Sequence, residues 1–187
     1  MSAAATTPLS AAQQVLSDLW DDHMRYEFDS KDTEATLATM VADARVNHVP
    51  VMTGGSGLGA LRAFYSRHFI PQMPPDFEVV PVARTIGSDH LVDEIVARFT
   101  HTVAMDWILP GVAPPGRRAQ VPIVVSVGFR DGKLCDERIY WDQASVLVQV
   151  GLLDPKDLPV ADGRIADKVL DPTLPSNELI ERAATRS

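Results

Sequence analysis

The amino-acid sequence predicts an α+β fold in which three N-terminal helices pack against one side of a curved antiparallel sheet. Helical periodicity dominates the first part of the chain and strand-like alternation the second, and strands grouped after helices are typical of α+β proteins. The segment RDGK at 130–133 joins the last two strand patterns with Asp-Gly, which is a strong hairpin signal. A curved sheet covered by helices leaves a cone-shaped cavity, and such cavities are common ligand sites.

The composition is that of an ordinary soluble domain. The chain has 187 residues and a net charge of −8, which argues against nucleic acid or a membrane surface as a partner. No apolar run approaches the roughly 20 residues that a membrane span needs. The single cysteine, Cys135, excludes an internal disulfide and a thiolate metal cluster. Together with the lack of a signal-like segment, this predicts a cytoplasmic protein.

The helical half begins after a leader, residues 1–9, that we expect to be disordered. Ser10 is placed to cap a first helix, because apolar residues recur behind it at three- and four-residue spacing. The further elements predicted in this half are a second helix through 35–41, a short strand at 44–51, a glycine-rich loop at 53–59 and a third helix at 58–69.

The strand half follows Pro75. Its predicted elements are strands at 77–86, 91–107, 120–130 and 133–142, and a helix from Ala144 to Val150 that ends at Gly151. We expect residues 10–153 to form the domain and residues 154–187 a C-terminal extension that wraps the surface, with a short helix near 176–184.

His101 is the one titratable group on the apolar face of the predicted strand 91–107. Alternation places it with Phe99 and Val103, in the pattern of a pocket wall. A histidine there is either a core residue bonded to a backbone carbonyl or a group for proton transfer. The residues alone leave both interpretations open.

Asp142 stands where the last strand meets the following helix. Alternation gives it the same face as Arg138 and Tyr140, with Ile139 and Trp141 on the other face. Beside aromatic surface the carboxylate would have a raised pKa and act as a base, whereas as the cap of the next helix it would have a lowered one.

The histidines show no metal-binding spacing, and we expect no metal site. Asn47 and His48 point to opposite faces of a short strand, so only one of them can enter a cavity. The glycine-rich segment 53–59 lacks the Lys-Ser/Thr ending of a phosphate loop, which argues against nucleotide binding.

The second half of the chain resembles a SnoaL-like protein of the nuclear transport factor 2-like superfamily. The shared pattern is an F-x-H strand, a G-x-x-P-x-G-R connection, an F-x-D-G-K hairpin and a final strand ending in aromatic-x-Asp. These residues are Phe99 and His101; Gly111, Pro114, Gly116 and Arg117; Phe129, Asp131, Gly132 and Lys133; and Tyr140 and Asp142. Segments 32–40 and 61–69 resemble the N-terminal half of the family, so that the resemblance covers 10–152.

The resemblance implies a cone-shaped cystatin-like α+β barrel that dimerises through its sheet and needs neither cofactor nor metal. It also implies polyketide cyclase-like acid/base chemistry on a small hydrophobic molecule that contains a carbonyl. Asp142 would be the base and His101 would assist it. The residues expected to shape the site or bind the ligand are Tyr26, Asn47, His48, Tyr140 and Trp141.

Two alternatives stay open for the same fold. The chain would be a non-catalytic ligand-binding or assembly module if side chains filled the cavity or if Asp142 lay outside it. An epoxide or lactone hydrolase of this superfamily uses an Asp–Arg–Asp arrangement, and this chain has Arg98 but carries Thr100 where a second acid would be wanted.

Overall fold

The structure is a computed structural model that describes residues 8–185, so that most of the predicted leader lies outside the described residues. It is an α+β fold in which helices pack on a curved, open, six-stranded sheet, as predicted. The helices are α1 (Ala11–Phe28), α2 (Thr33–Ala38), α3 (Leu58–Phe64), α4 (Gln143–Gln149), α5 (Arg164–Leu170) and α6 (Glu178–Ala184). A π-helical turn, Tyr65–Phe69, and a 3₁₀ turn, Ile70–Gln72, extend α3.

The sheet has the strand order β2-β1-β6-β5-β4-β3. Its strands are β1 (Met40–His48), β2 (Thr53–Ser56), β3 (Glu78–Ile86), β4 (His90–Thr100), β5 (Arg118–Arg130) and β6 (Lys133–Trp141). All neighbouring pairs are antiparallel except β1 and β6, which run parallel. The C-terminal strand β6 therefore lies beside β1, and residues that are far apart in sequence meet in the centre of the sheet.

The first helix begins as its sequence indicates. The Ser10 hydroxyl accepts from the Gln13 backbone N–H, and the Gln13 side chain accepts from the Ser10 backbone N–H. This reciprocal capping satisfies two backbone donors that would otherwise lack a partner. The buried residues of α1 are Ser17, Trp20, His23 and Glu27, so the face that α1 turns to the core is partly polar.

The strands of the first half of the chain differ from the prediction. β1 begins at Met40 rather than at 44, and the glycine-rich segment contributes the edge strand β2 instead of being only a loop. Gly54 allows this pairing, because a Cβ at that position would lie 2.1 Å from the carbonyl oxygen of Val46.

The strand predicted at 91–107 ends at Thr100, so His101 lies on the connection that follows β4. The Asp76 carboxylate accepts from both the backbone N–H and the hydroxyl of Thr100, at 3.0 and 2.6 Å, and this ends the ladder with β3. His101 still exchanges backbone hydrogen bonds with Arg117 and Gly116, and residues 102–115 then carry Trp107, Ile108 and Leu109 into the core.

The C-terminal extension packs against β5 and α4. Gln120 of β5 donates to the Gly163 carbonyl and to Asp167, and the Ser145 hydroxyl of α4 donates to the Asp162 carbonyl. Ala166 of α5 is fully buried, whereas α6 buries none of its residues. The prediction of a helix near 176–184 agrees with α6, and α5 was not predicted. No helix within residues 8–185 is long and apolar enough to cross a membrane.

Candidate active site

An interior cavity lies between α1, the turns after α3 and the inner face of the sheet. Aromatic side chains form much of its wall: Trp20, Phe28, Phe69, Phe77 and Trp107. Three buried polar side chains, Glu27, His48 and Glu137, also line it. Its volume is about 40 Å³, which is room for one or two water molecules and far below the roughly 300–1,000 Å³ of typical ligand pockets.

His23 leads a buried hydrogen-bonded cluster beside this cavity. Thr39 donates its hydroxyl hydrogen to the Thr36 carbonyl at 2.6 Å, so its oxygen is free to accept from His23 Nδ1, also at 2.6 Å. A hydroxyl has one hydrogen to give, and this pair of contacts therefore assigns a proton to Nδ1. The other ring nitrogen, Nε2, faces the acids.

Two carboxylates and a phenol surround His23 Nε2. Glu27 Oε1 lies 3.1 Å from it and Glu137 Oε2 lies 3.8 Å from it. The Tyr65 hydroxyl is 3.5 Å from the same nitrogen. Of these atoms, Glu137 Oε2 is buried and has no hydrogen-bond partner among the described residues. The cluster thus joins two acids, an imidazole and a phenol in a place without bulk water.

Burial and mutual charge shift the proton affinities within the cluster. Burial, with the charge of Glu27 next in weight, raises the pKa of Glu137 to about 8, although the positive charge of His23 opposes this. Burial by itself lowers the pKa of His23, but the charges of Glu27 and Glu137 outweigh it and the net pKa is raised. Burial, reinforced by the same two carboxylates, raises the pKa of Tyr65 well above its usual value. A carboxyl group whose pKa lies near neutrality is suited to both giving and taking a proton.

The secondary structure explains why these groups meet. His23 and Glu27 stand four residues apart and share one face of α1, and the ring of Trp20 stacks on His23 at 5.4 Å. Tyr65 opens the π-helical turn, a kind of irregularity that is frequent at functional sites. Glu137 pairs with Val46 of β1 and Val127 of β5, so the centre of the sheet holds it in register.

An ion pair between the buried Asp93 and the partly exposed side chain of Arg84 anchors α1 to the sheet. Asp93 of β4 accepts two hydrogen bonds from Arg84, each 2.7 Å, and a third of 2.7 Å from Trp20 Nε1. The Asp93 hydrogen bond is the main reason that the pKa of Arg84 is raised. Because the hydrogen bonds from Arg84 and Trp20 satisfy its carboxylate, we assign Asp93 a positioning role: it holds the Trp20 ring, on which His23 stacks.

Asp142 lies away from the cavity. Its carboxylate accepts from the backbone N–H groups of Ala144 and Ser145, at 2.9 and 3.3 Å, and so caps α4. The side chain is exposed. The capping interpretation describes this geometry, and Asp142 is not among the residues that line the cavity.

The other predicted catalytic residue, His101, is fully buried on the connection after β4. Neither ring nitrogen has a hydrogen-bond partner among the described residues, and burial lowers the pKa of the imidazole. His101 does not line the cavity either. The structure therefore does not bring His101 and Asp142 together in the cavity wall, and their catalytic role stays an untested prediction.

The five predicted ligand-binding residues separate in the structure. His48 enters the cavity wall, while Asn47 on the opposite face of β1 is exposed, as their alternation requires. Tyr140 is 43% exposed on the outer face of the sheet. Tyr26 is half-buried beneath the guanidinium of Arg25, 4.6 Å from its ring centre. Trp141 is buried next to His48 and donates to Gln143 at 2.6 Å, outside the cavity lining.

Sequence reasoning missed the buried acids, although two signals pointed to them. Glu137 alternates with Ile139 and Trp141, so a carboxylate stands on the apolar face of the last strand. Glu27 follows His23 at helical spacing on the apolar side of α1. A charged residue on a buried face is more informative than an apolar one, because charged residues are rarely buried without a partner.

Within the described part of the chain, one group of three or more side chains has a composition that could hold a cation. It consists of His23, Glu27 and Glu137, whose ligand atoms lie within 4.8 Å of one another. His23 Nε2 and Glu27 Oε1 already contact each other at 3.1 Å, and we assign no metal to this group.

The comparisons with known proteins agree with this fold. The family model of the SnoaL-like domain matches residues 20–137, which is more than half of the chain. A Jannaschia sp. CCS1 protein assigned as a SnoaL-like polyketide cyclase superposes with a TM-score of 0.62 at 21% identity, over 79% of this chain and 99% of that one. TsrD from Streptomyces laurentii gives 0.59 at 17% identity, over 78% and 100%. No curated protein matches the sequence.

The fold, together with the match to the family model, defines a small α+β domain of the nuclear transport factor 2-like superfamily. Within that superfamily the chain belongs to the SnoaL-like family, as its resemblance predicted. A Catenulispora acidiphila protein with a ketosteroid isomerase-like fold, at TM-score 0.56 and 17% identity over 73% of this chain and 94% of its own, shows the same architecture. At these identities the solved structures establish the fold alone.

Proposed function

We propose that this protein is a SnoaL-like enzyme that moves a proton on a small hydrophobic molecule containing a carbonyl, in a reaction of the cyclase or isomerase type. Glu137 is the base that removes a proton from carbon next to the carbonyl. His23, Glu27 and Tyr65 are the neighbouring groups that can bind or release the transferred proton. No cofactor takes part in this proposal.

The observation that carries the proposal is the position of Glu137. Its carboxyl group lies in the wall of an apolar cavity, and its Oε2 is buried without a hydrogen-bond partner among the described residues. A pKa of about 8 gives a substantial fraction of both protonation states near neutral pH, which a group that removes and returns a proton needs. Because the cavity holds about 40 Å³, substrate entry requires its aromatic side chains to move outward.

Exchange of the α-hydrogens of cyclopentanone with solvent deuterium tests the proton transfer without knowledge of the natural substrate. We expect the protein to accelerate this exchange, followed by proton NMR, above the rate in buffer. Glu137→Gln keeps the size of the side chain and removes the base, and it should lower the protein-dependent rate by about 10²–10⁴-fold.

Asp142→Asn supplies the comparison, since asparagine caps a helix about as well as aspartate. If Asp142→Asn abolishes exchange while Glu137→Gln does not, the base is Asp142, as the family resemblance implies. No exchange above buffer with the wild-type protein would contradict the proposal for this ketone.

A non-catalytic module is the second candidate, and the size of the cavity favours it. The side chains that line the cavity leave a void of only about 40 Å³. Under this alternative the cluster of acids only fixes the core, and neither variant changes exchange because the wild-type protein shows none.

We also propose a homodimer formed through the outer face of the sheet. What supports it is that Val92, Val124 and Tyr140 are exposed there on neighbouring strands. Light scattering after gel filtration measures the mass, and a monomer at micromolar concentration would contradict the proposal. A cytoplasmic location remains the expectation, and fractionation of the source cells would test it.

A further inference from the structure

The cavity wall contains buried polar atoms that the proposed proton transfer does not use. His48 Nδ1 and Trp107 Nε1 are both buried, and neither has a hydrogen-bond partner among the described residues. The two side chains are 4% and 3% exposed, and both line the cavity. Buried polar groups in native proteins nearly always have a partner, so two unpartnered atoms on one void ask for a group that satisfies both.

The chemistry of the two atoms specifies that group. An indole N–H can only donate. Burial lowers the pKa of His48 to about 4, so the imidazole is neutral and one of its ring nitrogens is an acceptor. We assign the acceptor to Nδ1, because interaction with the Thr53 backbone, which opposes the effect of burial on the pKa, favours a proton on the other ring nitrogen. One atom of the wall therefore offers a hydrogen and the other requires one.

The two rings are neighbours in the cavity wall, with centroids 5.7 Å apart and planes inclined by 56°. A hydroxyl oxygen meets both requirements, because it accepts from Trp107 and donates its own hydrogen to His48. A carbonyl or an ether oxygen would satisfy Trp107 and leave His48 without a partner.

We propose that His48 and Trp107 form a hydroxyl-binding subsite of the interior cavity, and that the substrate is a hydrophobic carbonyl compound that also carries a hydroxyl or enol group. This inference rests on the proposed function in placing the substrate in the cavity. Binding at the subsite can be measured without any reaction. The rings of Phe69 and Phe77, whose centroids lie 5.2 and 5.8 Å from that of Trp107, form the apolar wall beside the subsite.

Phenol and toluene are matched probes for this subsite, since they differ in a hydroxyl against a methyl group. Binding is measured by NMR titration of the wild-type protein with each probe, and no turnover is needed. We expect phenol to bind about tenfold more tightly than toluene, because only phenol satisfies both atoms.

Three variants test whether His48 and Trp107 cause the preference for phenol over toluene. Trp107→Phe removes the N–H and His48→Phe removes the acceptor, and each should weaken phenol binding until the ratio of the two dissociation constants approaches one. Trp141→Phe is the matched control: its indole already donates to Gln143 and lies outside the cavity lining, so the ratio should stay at the wild-type value.

A wild-type ratio near one, an unchanged ratio in Trp107→Phe, or no binding of either probe up to the solubility limit of toluene would overturn the subsite. If a variant does not fold, a crystal structure of the wild-type protein soaked with phenol decides: the phenol oxygen lies within hydrogen-bond distance of both nitrogens, or the proposal is wrong. Cyclopentanone exchange is read separately, so loss of the hydroxyl preference with exchange intact sinks the subsite and leaves the proposed function standing.

Discussion

The carboxyl group of Glu137 lies where burial and a neighbouring acid both disfavour its charged form. Its pKa of about 8 in the folded protein stands above the ordinary carboxyl value of 4.5. The folded state therefore binds more protons than the unfolded state between these two pH values, and stability falls as pH rises through that range. The raised pKa of His23 acts in the same direction above pH 6.5.

We expect the melting temperature to decline between pH 5 and pH 8 by more in the wild-type protein than in Glu137→Gln, which cannot titrate there. Calorimetry at a series of pH values measures the difference. Parallel curves for the two proteins would show that Glu137 has an ordinary pKa, and the basis for its role as a base would be lost.

The sequence predicted the alternation of β6 correctly, but the predicted base lies beyond the face of Tyr140, whereas the cavity lies against the face of Glu137 and Ile139. Glu137, Ile139 and Trp141 face inward, while Tyr140 and Asp142 do not. Alternation alone gives two faces and does not say which one the helices cover. The contact between His23 of α1 and Glu137 of β6 joins residues more than 100 positions apart, and no local pattern contains it.

At the scale of elements, the junction of β6 and α4 depends on Asp142 as a helix cap. Removing the side chain in Asp142→Ala leaves the backbone N–H groups of Ala144 and Ser145 without their acceptor. We expect a loss of about 1 kcal/mol in the free energy of unfolding, measured by urea denaturation. Asp142→Asn should stay close to wild type, and an equal loss in both variants would mean that the charge, and not the cap, is what matters.

Elements with a strong local signal were predicted well and irregular ones were not. The capping box of α1, the Asp131-Gly132 hairpin and Gly151 after α4 each determine local backbone geometry. The end of β4 depends instead on the Asp76 carboxylate, which is brought to Thr100 only by the fold. The alternation of 91–107 continued past that point and placed His101 and Val103 within a strand that ends at Thr100.

At the scale of the whole molecule, the C-terminal extension divides into a part that belongs to the fold and a part that lies on it. α5 buries Ala166, and residues around it accept hydrogen bonds from Gln120 of β5 and Ser145 of α4. α6 buries no residue, and its Ile180 is 69% exposed. The domain boundary expected at residue 153 would separate α5 from the strand and helix that hold it.

Two truncated proteins test where the domain ends. Removing residues 171–187 deletes α6 and should change the melting temperature little, because few buried contacts are lost. Removing residues 154–187 also deletes α5 and uncovers the side chain of Gln120, so we expect a lower melting temperature and more aggregation on heating. Circular dichroism at matched protein concentration measures the melting temperature of both truncated proteins. If the longer truncation is as stable as the full chain, α5 rests on the surface without stabilising it, and the domain ends near residue 153 as the sequence predicted.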